Sequence, residues 1–107
     1  MNFELTASMM CADFGHLEEE VKALDAAGIV SFHIDIMDGR YVPNFAMSLN
    51  DLKYIRSATD KPLDVHLMIV QPEKFIHEVK ALGAMMMNVH YEACPHLHRV
   101  IQQIKDA

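Results

Sequence analysis

Apolar runs rich in branched or long side chains alternate along this chain with segments whose apolar residues recur every three or four positions. The runs extend from Phe3 to Met10, Val30 to Met37, Leu63 to Val70 and Met85 to Tyr91. Between and after them, Leu17, Val21 and Leu24 share one helical face, as do Leu49, Leu52 and Ile55. Phe75, Ile76, Val79 and Leu82 form a third such face, and Leu97, Val100, Ile101 and Ile104 a fourth. The pattern predicts a strand followed by a helix, repeated through the chain.

Boundary residues agree with this period. Asp13 and Ser48 suit helix N-caps, Pro72 and Pro95 suit a first helical position, and Gly28 and Gly83 suit a left-handed helix stop. Strands and helices alternating at this spacing imply parallel strands joined by right-handed crossovers, in an open doubly wound sheet or a barrel. A pitch of about 27 residues per unit extrapolates to roughly 215 for eight units, near the lower end for a (β/α)8 barrel. The expected architecture is therefore α/β, a single domain of four strand-helix units over residues 1–107; read as a barrel and not an open sheet, it is the (β/α)4 half of a TIM-type fold with the C-terminal half absent.

Composition narrows the partners. With 107 residues, 51% of them hydrophobic, the chain has enough apolar surface for one core. No run of apolar residues is long enough to span a membrane, and MNFELTASMM lacks a basic flank and cleavage pattern, so a cytoplasmic protein with no membrane partner is expected. The formal charge of −6, without a cluster of Lys or Arg, argues against nucleic acid. Cys11 and Cys94 lie far apart without CxxC spacing, so neither a disulfide framework nor a zinc knuckle is expected.

The chemistry sits on alternate strand positions. Phe32, Ile34 and Ile36 point one way and His33, Asp35 and Met37 the other, while Leu63, Val65 and Leu67 oppose Asp64, His66 and Met68. Parallel strands under helices are normally apolar on both faces, so polar side chains gathered toward two C-terminal strand ends need hydrogen bonds, charges or a metal to offset their burial. Two imidazoles and a carboxylate suit Zn²⁺, Mn²⁺ or Fe²⁺ with positions open for substrate. The competing reading is that His33 and His66 are satisfied core histidines with Asp35 as their hydrogen-bond partner.

Ser8, at the end of the first strand, fits either a substrate contact or a local backbone bond. His90, at the end of the fourth, lies on the face of Met86 and Asn88 and is placed to line the same mouth. His16, His77, His96 and His98 fall on helices or their first turns and read as solvated. Most of the nine methionines read as core filler. Met37 and Met68 extend the polar faces and would form flexible apolar walls at the mouth. The loop that begins at Asp38 and Gly39 and contains Val42, Pro43 and Asn44 is long for a strand-to-helix connection, which favours a functional rim.

FHIDIMDGRYVPNF, PLDVHLM and VHYEA together resemble the ribulose-phosphate 3-epimerase family, which includes allulose-6-phosphate 3-epimerase. The likeness runs from SMMCADF to the end of the chain and covers about the first half of a family barrel. It implies a ribulose-phosphate-binding (β/α)8 barrel that inverts a carbon beside the ketone of a ketose phosphate by aspartate proton transfer through an enediolate. It further implies a divalent cation (Zn²⁺, Fe²⁺, Mn²⁺ or Co²⁺) held by His33, Asp35 and His66. Asp35 would be catalytic, and Ser8, His66, Met37, Met68 and His90 would contact substrate. Ribulose 5-phosphate is the expected substrate and allulose 6-phosphate the alternative.

Two positions depart from the family pattern: Ala7 stands where proline is usual, and MSLNDL replaces a Gly-Pro-containing stretch. The fourth ligand, the second acid-base aspartate and the phosphate loops of the family belong to its later half. A truncated, non-catalytic half-barrel or interaction subunit is accordingly the competing expectation. Open strand edges lead to the further expectation of a homo-oligomer.

Overall fold

The computed structural model describes residues 2–107. Four parallel strands form one sheet in the order β1-β2-β3-β4: β1 (Thr6–Ser8), β2 (Ser31–Met37), β3 (Leu63–Met68) and β4 (Ala84–Asn88). The helices α1 (Leu17–Ala26), α2 (Leu49–Ala58), α3 (Ile76–Ala81) and α4 (Leu97–Asp106) follow the strands in turn. The four strand-helix units are those the alternation predicts, and their single parallel sheet is that of a (β/α)4 half-barrel.

Strand register sorts side chains by face. Phe32, Ile34 and Ile36 on β2 stand opposite Leu63, Val65 and Leu67 on β3. All six are buried, and they pack with Val21 of α1, Leu52 and Ile55 of α2 and Val79 of α3 in one core. A second, smaller cluster of Ile76, Cys94 and Val100 seats α4. The intervening β2 and β3 residues face the other way: His33 pairs with Asp64, Asp35 with His66 and Met37 with Met68.

Element ends differ from the sequence reading where tertiary pairing intervenes. β1 is limited to Thr6–Ser8 because Met9–Cys11 tightens into a 3-10 turn, and Phe3 and Leu5 are exposed. Asp13 caps, but it caps a 3-10 turn: its side chain accepts from the Gly15 N–H at 3.0 Å, and α1 begins only at Leu17. Pro72 opens the 3-10 turn Pro72–Phe75 ahead of α3, and Pro95 precedes the N-cap of α4, His96. Ser48 forms a reciprocal capping box with Asp51, as its position suggests. Gly28 (φ 90°) and Gly83 (φ 89°) both take the left-handed conformation that stops a helix.

The β3–β4 pairing contains one irregularity. Leu63 pairs with Ala84, but Asp64 pairs with Met86, so Met85 is an extra residue in β4. The shift keeps Met87 on the helix side, beside Val65, and sets Asn88 beside His66 on the opposite face.

Candidate metal and proton-transfer site

At the C-terminal ends of β2 and β3, His33, Asp35 and His66 converge. Asp35 Oδ1 lies 3.0 Å from His33 Nε2 and 3.0 Å from His66 Nδ1. Asp35 is buried at 9% exposure, whereas the His33 and His66 side chains keep 29% and 25%. The two imidazoles are thus half-buried at a face partly open to solvent, with the buried carboxylate between them as their shared hydrogen-bond partner.

The donor set fits a divalent cation. One ligand atom from each residue can be chosen so that all lie within 4.8 Å of one another. Ligands about 2 Å from a tetrahedral ion stand roughly 3.3 Å apart, so small rotamer adjustments close the remaining gap. Two imidazole nitrogens with one carboxylate oxygen match the preferences of Zn²⁺, Mn²⁺ and Fe²⁺ and leave positions open.

Further residues hold this trio. His33 Nδ1 donates to Asp64 Oδ2 at 2.9 Å, and Asn88 Nδ2 donates to Asp64 Oδ1 at 2.6 Å. Burial draws the His33 pKa down, but the Asp64 hydrogen bond and the charges of Asp35 and Asp64 outweigh it and hold the imidazole above its usual value. His66 Nε2 lies 2.6 Å from His90 Nε2, and the two rings stack at 4.8 Å. Tyr41 packs on His90 at 4.9 Å and donates its hydroxyl to Glu92 at 3.1 Å.

The remaining residues singled out from sequence take definite places. His90 joins the cluster by stacking on His66. Met37 and Met68 are neighbours in register one step beyond Asp35 and His66, each half-buried. Ser8 stands beside His33 in register at the exposed end of β1, and its side chain gives the following turn no capping bond. His16, His77, His96 and His98 are all exposed, as expected.

Asp64, Asn88, Tyr41 and Glu92 carry contacts to which sequence reasoning gave no role. For Asp64 a signal existed, since it shares the face of His66 two positions away. Asn88 had the same face signal, but its contact depends on the irregularity at Met85. Tyr41 and Glu92 are separated by many residues and meet only through the fold.

The loop between β2 and α2 is tied down by Asp38. Its Oδ1 accepts from the backbone N–H of Arg40 and Tyr41, both at 2.8 Å, and its Oδ2 accepts from Val70 N–H at 2.8 Å. Burial pushes the Asp38 pKa up, but the Val70, Arg40 and Tyr41 N–H groups overcome this and lower it. Gly39 takes φ 71°, and the Phe45 ring occupies the space a Cβ would need. An apolar cleft of about 430 Å³ lies beneath this loop, lined by Phe45, Met47, Leu67 and Phe75 among others, and contains none of the trio.

The profile of the "Ribulose-phosphate 3 epimerase family" matches residues 4–107. A ribulose-phosphate 3-epimerase of Synechocystis is 47% identical, with 98% of this chain and 46% of that protein aligned. The Bacillus subtilis ribulose-phosphate 3-epimerase is 45% identical over 96% of this chain and 48% of its own length. A chloroplastic ribulose-5-phosphate-3-epimerase of Arabidopsis thaliana is 44% identical over 94% and 37%. The chain thus spans about half the length or less of these relatives, and across that span it belongs to the ribulose-phosphate 3-epimerase family.

Proposed function

We propose that this chain is the N-terminal half of the active site of a metal-dependent ketose-phosphate 3-epimerase that interconverts ribulose 5-phosphate and xylulose 5-phosphate. The observation that carries the reading is the convergence of His33, Asp35 and His66 at the strand ends in a chain of this family. These residues would hold Zn²⁺, Fe²⁺, Mn²⁺ or Co²⁺. Such a cation, when bound, stabilises the negative charge that develops on substrate oxygens as the proton leaves.

Asp35 is the proton-transfer group on one face of the carbon beside the ketone; removing that proton gives an enediolate. Its carboxylate sits between two imidazoles, which fixes its direction. Ser8 and His66 would contact substrate hydroxyl and carbonyl oxygens, and Met37, Met68 and His90 would wall the planar intermediate. Inversion needs a second proton-transfer group on the opposite face. We assign that group and the phosphate-binding loops to the portion of the longer relatives that this chain does not span.

Allulose 6-phosphate is the competing substrate, since Ala7 and the stretch MSLNDL depart from the family pattern. A cytoplasmic location belongs to the same reading; no helix among the described residues is long and apolar enough to cross a membrane. A non-catalytic, interaction-only role is favoured by one observation, the exposure of Met85 and Met86 on β4, an edge strand of the sheet.

Titration with Zn²⁺ or Mn²⁺ tests the metal reading. Binding by the parent chain and its loss in His66→Ala are expected, and equal binding by the two would overturn it. The 107-residue polypeptide alone should show no measurable turnover of ribulose 5-phosphate, since a missing acid-base group typically costs about 10² to 10⁴ in rate. Turnover near an ordinary enzyme's, about 10 s⁻¹, would overturn the assignment of the second acid elsewhere.

A further inference from the structure

We infer that Asp64 and Asn88 are positioning residues that act through His33, holding its ring so that Nε2 faces the cation position. The inference rests on the metal reading above, and it concerns a chain of contacts across three strands. Asn88 on β4 donates to one oxygen of Asp64 on β3, at 2.6 Å. His33 on β2 donates from Nδ1 to the other oxygen, at 2.9 Å. Its Nε2 then points at Asp35 Oδ1, 3.0 Å away.

An imidazole ligates through a nitrogen that carries no proton, so the other nitrogen must keep its hydrogen. A carboxylate can only accept, which makes Asp64 select the Nδ1–H form of a ligating His33. The same bond prevents ring rotation and raises the basicity of Nε2. Asp64 is itself a flexible carboxylate on two rotatable bonds, and the Asn88 amide removes that freedom by occupying its second oxygen.

The irregularity in β4 is what makes this arrangement available. Leu63 pairs with Ala84 and Asp64 with Met86, so one extra residue, Met85, enters β4 between them. Without it, regular pairing would set Met87 beside His66 and turn Asn88 toward the helices. Irregular pairing that re-aims a side chain is a common device beside active sites. Here it delivers an amide donor to a carboxylate that has a histidine on its other side.

The test uses Zn²⁺ alone as probe, with affinity measured by chelator competition. ¹⁵N-resolved NMR reports whether His33 Nδ1–H is a slowly exchanging, low-field proton. In the loaded parent this proton should be visible; Asp64→Ala should lose it and bind Zn²⁺ about 10- to 100-fold more weakly, the usual effect of removing such a partner. Asn88→Ala should weaken binding in the same direction by less. If Asp64→Ala does not fold, Asp64→Asn, of equal size but uncharged, should still show weaker binding than the parent.

Parent-like affinity with the proton retained in Asp64→Ala, or parent-like affinity in Asp64→Asn where that variant decides, overturns the inference and leaves the metal reading standing. If parent and His66→Ala bind Zn²⁺ equally, the metal reading falls. The positioning role is then decided on the metal-free chain: a slowly exchanging Nδ1–H present in the parent and lost in Asp64→Ala supports it. A proton that persists in the variant, or is missing from both, overturns it.

Discussion

Single residues govern the β2–α2 loop. Asp38 accepts three backbone N–H bonds at 2.8 Å, two within the loop and one from Val70 after β3, so one side chain fastens two mouth segments together. Because these bonds favour the ionised form, its native pKa lies below the ordinary 3.8. The stability it contributes is therefore present above the unfolded value and lost as pH falls through the lower native value. Amide exchange of Val70 should accelerate across that acid window in the parent and at all pH values in Asp38→Ala. Unchanged Val70 exchange in the variant would show that the tether does not hold the loop. Gly39→Ala should loosen the same loop, since it combines a left-handed φ of 71° with a clash against the Phe45 ring. Faster exchange of Arg40 and Tyr41, with the strands unaffected, is the expected result.

At the scale of elements, the helices cover the sheet through a few fully buried side chains. Leu52 of α2 has no solvent exposure and lies in the main core. Leu52→Ala should destabilise the fold by about 2–5 kcal/mol, the range for a buried leucine that leaves a cavity. Denaturant titration should show a lower midpoint with an unchanged slope, and a loss under about 1 kcal/mol would mean that the site collapses around the gap. The opposite end of the sheet is fastened by polar groups. Arg56 of α2 donates to the carbonyl of Lys61 before β3 at 2.8 Å and to that of Gly83 before β4 at 3.3 Å. Thr59, buried after α2, donates to Asp25 of α1 at 2.6 Å. Thr59→Val keeps the shape and removes the hydroxyl, so a loss of about 1 kcal/mol is expected, measured in the same titration.

For the molecule as a whole, the sheet has two free sides among the described residues, the outer edges of β1 and β4. Met85 and Met86 are exposed at 63% and 49% on β4, and Phe3 and Leu5 at 79% and 69% next to β1. Unpaired edges beside exposed apolar side chains favour association with another chain. The 107-residue polypeptide should accordingly self-associate at micromolar concentration. A two-fold pair would bring two copies of Asp35 to one mouth, because the same patch meets itself. Sedimentation decides the matter, and a well-folded monomer would show that the edges are protected.

Much of this protein was legible in its sequence. The alternation of period-two and near-3.6 apolar patterns determined four strand-helix units, and His33, Asp35 and His66 stood out because polar residues interrupted faces that parallel strands keep apolar. Helix stops at Gly28 and Gly83 and the cap at Ser48 were equally local, since each depends on a conformation or bond made within a few residues. Tertiary structure decided what depends on a neighbour. β1 shrank to Thr6–Ser8 because strand pairing, not apolar content, sets its length. Asp64 and Asn88 gained their partners through register and through the extra residue Met85, a one-residue shift that reverses which face a side chain joins, while His90 and Tyr41 gained theirs where segments beyond the strand ends meet. Local pattern sorts the side chains of one strand into two faces; only the pairing of separate strands decides which face looks to the mouth and which residues touch.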